Sequence, residues 1–203
     1  MSLPSRLLGA NPSIQVSTLL SGSLTTPSAK GTFTTSDYQA IATYTSTGSD
    51  TFFDFTSIPS DYRYLEVRGY GTHNSINYAN VAVRMNGDST TGNYRWIFSV
   101  ANNTAKSSAT DTNSNHLPIL QSFPSTSNNM GVCVFVFNEY KATNKYKTVT
   151  SYGGGTESNS TVGEVSIGAG TWLSTSAITS LRFFNTGGPS WSAGSKFVLY
   201  GVI

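Results

Sequence analysis

The side chains able to do acid–base, nucleophilic or metal chemistry are few and far apart: ten Asp and Glu, two His and one Cys among 203 residues. Metal binding needs such groups clustered. His73 and His116 instead stand alone in loop-like contexts and read as ordinary surface histidines. Asp88 and Asp111 lie in stretches rich in Ser, Thr and Asn. A calcium loop there would show the D-x-[DN]-x-[DN]-G spacing, which is absent, and isolated loop aspartates usually cap turns. Glu66 and Glu164 fall in strand-like runs. Glycoside hydrolysis would need two carboxylates facing each other across a cleft, and no E-x-D or similar pairing occurs. The plainer reading of Glu66 is an ion pair with a cation across a sheet. Gly-x-Ser-x-Gly, a P-loop and a dinucleotide fingerprint are all missing, and Gly153-Gly154-Gly155 opens no helix that could cradle a phosphate. Cys133, inside Val-Cys-Val-Phe-Val-Phe, reads as a small buried hydrophobe. The expectation is a protein with no catalytic residues, no metal and no cofactor.

Binding is the better-supplied alternative. Sugar recognition uses exposed rings beside amide and hydroxyl donors. Tyr94, Trp96, Trp172 and Trp191, with Asn93 and Asn185, are candidate glycan contacts; the same rings serve equally well as core or interface residues. The sequons at Asn102 and Asn159 carry no weight without a secretory signal. The 12 Lys and Arg leave a net charge of +2 and are spread without a run of three. No basic patch results, so nucleic acid is not an expected partner. The longest apolar run, residues 132–137, is far short of the roughly 20 residues of a membrane span. The first residues have no continuous apolar core of a signal peptide, and one cysteine allows no intrachain disulfide. Synthesis in a reducing cytoplasm, with no membrane partner, is expected.

The elements that would position these groups are strands. Charged residues are 11% of the chain, against roughly 25% in an average protein, while Ser (31), Thr (27) and Gly (19) abound. Such a chain builds helices poorly. Residues 1–40 carry Pro4, Pro12 and Pro27 and show no sustained period of 2 or 3.6. Their spaced aliphatics Leu3, Leu7, Leu8, Ile14, Val16, Leu19, Leu20 and Leu24 point to an extended arm that orders against a partner, the alternative being a solvated tail. From residue 41 to 203 the pattern is strand after strand. Leu65 and Val67 alternate with Glu66 and Arg68; Val81, Val83 and Met85 run into Asn86-Gly87, a strong hairpin-turn signal. Residues 102–115 read as a long polar loop. Residues 132–137 are apolar at every position and read as a strand buried on both faces. Eight or nine short strands without a helix predict an all-β, two-sheet jelly-roll sandwich, with Leu65, Val67, Val83, Val134, Val136, Phe183 and Leu199 in its core.

Four stretches taken together carry a resemblance. They are Phe53-Asp54-Phe55-Thr56-Ser57-Ile58-Pro59 leading into Tyr64-Leu65-Glu66-Val67-Arg68-Gly69, then Asn144-Lys145-Tyr146-Lys147-Thr148-Val149, then residues 172–181, and finally residues 194–202. In this order the chain resembles a group of virion structural proteins of tailed bacteriophages with a jelly-roll-like body, over roughly residues 41–203. The resemblance implies a non-enzymatic virion component, and the group offers no catalytic residues to carry over. One expectation is a capsid decoration, or cement, protein. It would bind the major capsid protein as a homo-oligomer, expected to be a trimer, stabilise the head, and dock through the N-terminal arm. The other is a tail-fibre or receptor-binding module that presents aromatic and Asn-rich loops to host surface glycans. Small size, low charge and no shaft longer than 40 residues favour decoration.

Overall fold

Runs in which β-branched and aromatic residues alternate with polar ones form strands because a pleated strand turns successive side chains to opposite faces. The computed structural model of the chain describes residues 23–25, 32–34, 37–74, 79–103, 105–125, 129–156 and 163–203. Among them the structure is all-β. β1 (Ser23–Thr25) and β2 (Thr32–Thr34) pair with each other, Leu24 opposite Phe33. Leu3, Leu7, Leu8, Ile14, Val16, Leu19 and Leu20, seven of the eight residues expected to form the docking arm, lie outside the described residues.

The sandwich begins at β3 (Tyr38–Thr45), three residues ahead of the boundary expected at 41. It continues through β4 (Phe52–Phe55), β5 (Tyr64–Gly71), β6 (Ala79–Met85), β7 (Tyr94–Asn102), β8 (Lys106–Ser114) and β9 (Leu117–Phe123). β10 (Gly131–Asn138), β11 (Lys147–Thr156), β12 (Gly163–Trp172), β13 (Leu181–Asn185) and β14 (Lys196–Val202) complete it. One sheet runs β3-β14-β5-β10-β11-β12-β7-β8 and the other β4-β13-β6-β9, all pairs antiparallel. The framework is a jelly roll. β3, β4, β5 and β6 alternate between the sheets, β9 stays beside β6, and β10, β13 and β14 alternate again. The remaining strands β11, β12, β7 and β8 widen the larger sheet beyond β10.

The space between the sheets is filled largely by rings. Phe53 stacks on Tyr44 at 4.0 Å and on Phe183 at 5.4 Å; Phe183 meets Phe135 edge-on at 5.2 Å, and Trp191 meets Phe197 likewise at 4.9 Å. Leu65, Val67, Val83, Phe183 and Leu199 are buried here as expected. Two glycines make room for rings. A Cβ at Gly69 would come within 2.3 Å of the Phe197 ring, and one at Gly201 equally close to Tyr62.

Three expectations are corrected. β10 is not buried on both faces: Cys133, Phe135 and Phe137 point inward, whereas Val134 and Val136 are only half-buried and Val132 is exposed on the opposite face. Residues 106–114, within the expected loop, form β8 at the sheet edge. Their hydroxylated side chains need no apolar face, and pairing to β7 satisfies the backbone. The Asn86-Gly87 turn forms, with both φ values positive (51° and 70°), but it closes no hairpin. It sends the chain from β6 in one sheet to β7 in the other.

Candidate functional site

The charged and aromatic groups settle into three places. At the end of β6, Asp88 accepts hydrogen bonds from Trp172 Nε1 (2.7 Å), Asn93 Nδ2 (2.9 Å) and the Thr90 backbone N–H (2.9 Å). Burial alone would raise its carboxyl, but these donors outweigh it and hold the group at about 2. The Tyr94 hydroxyl donates to the Asp88 carbonyl and accepts from the Met85 N–H. Asp88 is therefore a cross-sheet staple, and its donors are protein groups.

On the outer surface of the smaller sheet Arg182 forms a two-pronged pair with Asp54 (2.8 and 2.7 Å) and stacks over Phe52. Its cross-strand neighbour Arg84 stacks over Phe184 and donates to the carbonyl and side-chain oxygens of Asn115. His116 packs edge-on against Phe184. Burial, and then the Arg84 charge, lower its pKa.

The third place is the outer face of the eight-stranded sheet. At one end Arg68 pairs with Glu66 and lies over the rings of Tyr38 and Tyr200 (5.1 and 5.4 Å). Tyr38 exchanges a hydrogen bond with Tyr64 (3.3 Å); that bond, and then the Glu66 charge, raise its phenol. The cation that Glu66 meets is thus two residues along its own strand, not across the sheet. Farther along, past β10, the face becomes apolar. Cross-strand register places Val134 beside Tyr152, Tyr152 beside Ile167 and Ile167 beside Ser99; one step away, Ala169 sits beside Ile97. Val132, Tyr152, Val165, Ile167 and Ile97 are each more than half exposed.

The candidate glycan contacts do not reach this surface. Tyr94, Trp172 and Trp191 are buried in the core, and Trp96 is half-buried, stacked on Phe98 at 5.2 Å. A buried ring cannot stack on a sugar. Glu66 and Glu164 lie on opposite faces of the eight-stranded sheet, Glu66 outward and Glu164 inward, so they do not face each other across a cleft. His73 is fully buried, bridged to Trp191, and burial lowers its pKa; the expected surface position is corrected. Among the described residues no three His, Cys, Asp or Glu stand close enough to hold a metal ion. Cys133 is buried, which pushes its thiol up. The tyrosine–arginine cluster was missed from the sequence; the alternation of Tyr64, Glu66, Arg68 and Tyr70 was the available signal. Comparison with protein-family models, curated proteins and solved structures finds no match.

Proposed function

We propose that the chain is a non-enzymatic structural component of a tailed-bacteriophage virion, a capsid decoration protein that stabilises the head. The observation that supports this most is where the phage-like stretches fall. Phe53–Pro59 with Tyr64–Gly69 covers most of β4 and β5, residues 144–149 enter β11, residues 172–181 run from the end of β12 to the start of β13, and residues 194–202 contain β14. Two of the four stretches thus hold the framework strands β4, β5 and β14, while residues 173–180 are a connection, so the likeness falls on framework and connections alike. A broad, mostly uncharged outer sheet face suits a subunit that works through surface contacts. Purified particles analysed by quantitative mass spectrometry and imaged by electron microscopy test the reading. Hundreds of copies on the head surface are expected; absence from the particle would sink it.

The tail-fibre or receptor-binding alternative draws on one specific feature, the Tyr38, Tyr64, Arg68 and Tyr200 cluster with the exposed Tyr70 farther along β5, which offers tyrosine rings beside the Arg68 guanidinium. A handful of copies at the tail, with glycan-array binding lost on Tyr38→Ala and Tyr70→Ala, would favour it over decoration.

A further inference from the structure

We infer that the outer face of β10, β11, β12 and β7 is a self-association surface through which copies of this chain meet sheet to sheet. The first ground is chemistry. Outward positions on β10, β11 and β12 between Val132 and Thr171 carry Val, Tyr, Ile, Ala, Thr, Asn and Gly, and no charged side chain; Glu66, Arg68, Arg95 and Lys106 stand at the margins. A face of one charge sign would repel its own copy, and this one does not. Exposed apolar surface of this extent on a soluble chain marks an interaction site.

The second ground is size. Four strands about 4.8 Å apart, each of some eight residues at about 3.3 Å, present on the order of 500 Å². With β14 and β5, whose outward Glu66, Arg68 and Lys196 would form a charged rim, the face approaches about 750 Å², close to the ~800 Å² that each partner of a stable pair contributes.

The third ground is relief. Ile167, well exposed, borders two depressions in this face. One depression of about 400 Å³ lies toward Ser99, Ala101 and Lys106, and another of about 450 Å³ lies toward Tyr152 and Thr150. An exposed side chain between two depressions can lie in a depression of a second copy while that copy's Ile167 lies in its own, as an isologous contact requires. A charged partner would find counter-charge only at the rim, where Arg95 and Lys106 stand at opposite ends of β7 and form no basic patch for nucleic acid. The inference goes beyond the function proposed above, because it holds wherever on a particle the chain sits.

The full-length chain should be run over a range of concentrations by size-exclusion chromatography with light scattering. We expect a mass of at least two 21.7 kDa chains. The double variant Val165→Glu/Ile167→Glu should raise the dissociation constant about tenfold or more, because it would bury unpaired charge at the contact. Both side chains are solvent-exposed, so the melting of the variant monomer should match that of native protein diluted to monomer. Phe52→Lys, on the other sheet, should leave the assembly intact. A second measurement is independent of variant folding. Because Cys133 is buried, a cysteine placed by Ile167→Cys should be linked between chains by a short bismaleimide, while one at Thr43→Cys on edge strand β3 should not. A native chain that stays monomeric at about 100 µM, near the weak end of functional affinities, overturns the inference. So does an assembly that survives the double glutamate variant or cross-links equally from both cysteines.

Discussion

Asp88 and His73 show two structural uses of the few ionisable groups: Asp88 ties the two sheets, and His73 fills space in the interior. Asp88 links the turn after β6 to the end of β12 through Trp172. Asp88→Ala would leave the indole N–H without that acceptor, and we expect a loss of about 1.5–3 kcal/mol in urea unfolding, the usual range for a bond to a charged group. The pH dependence has a definite sign. A carboxyl held near 2, below its ordinary 3.8, contributes stability that is full above pH 4 and lost as pH falls through 2. His73 acts in a separate window. Burial keeps its folded pKa below the ordinary 6.5, so the unfolded chain takes up the proton first. Stability should therefore be full above pH 6.5 and decline as pH falls toward 5. His73→Gln should flatten that decline, leaving a remainder from His116, whose pKa shifts the same way. A slope between pH 7 and 5 unchanged by the substitution would refute the assignment. Little of this was legible in the sequence. Spacing does not reveal that Asp88 meets an indole 84 positions away, or that a lone histidine in a turn-rich stretch is buried and bridged through its backbone to Trp191.

At the scale of elements, period-2 alternation was readable wherever one face is dry. Leu65 and Val67, Val83, and Leu199 went inward as their patterns require. It failed on β10, because apolar residues on both faces of a strand look the same whether the second face meets a protein core or stays open. The two faces should separate cleanly by mutation. Phe135→Ala removes a ring packed edge-on against Phe183 and should cost about 3–5 kcal/mol, whereas Val134→Thr, on the half-buried face where water can reach the new hydroxyl in protein diluted to monomer, should cost about 1 kcal/mol. Equal costs in chemical denaturation would mean that β10 is covered on both sides. β8 escaped notice for the opposite reason. Its run Lys-Ser-Ser-Ala-Thr-Asp-Thr-Asn-Ser is wet on nearly every position, so no periodicity marks it. Only backbone pairing to β7 makes it a strand, and pairing is not written in side-chain hydropathy.

The whole molecule is a jelly roll whose larger sheet has been widened from four strands to eight, and widening has two consequences. It enlarges the outer face, the one turned away from the small sheet, and it moves the free edge from β10 to β8. Among the described residues no strand pairs with the far side of β8, and that strand has only Lys106 and Asp111 for charge, light protection against pairing with another chain. The framework order was legible from strand count and spacing; the widening was not, since β7–β8 and β11–β12 enter the chain between framework strands and reveal their place only through register. An exposed edge gives the N-terminal segment something to do. Burying its eight aliphatics would yield on the order of 10–20 kcal/mol, less than the roughly 1–2 kcal/mol per residue needed to order some thirty residues. Side-chain contacts alone would not hold such an arm, and main-chain bonds of the kind an open edge offers would close the difference. We therefore expect that deleting residues 1–35 leaves the sandwich folded, because β3 begins at Tyr38, with the same cooperative melting as the full chain. The truncated chain should no longer join particles when added to virions that lack the protein. Full occupancy by the truncated chain would show that the segment has no part in docking.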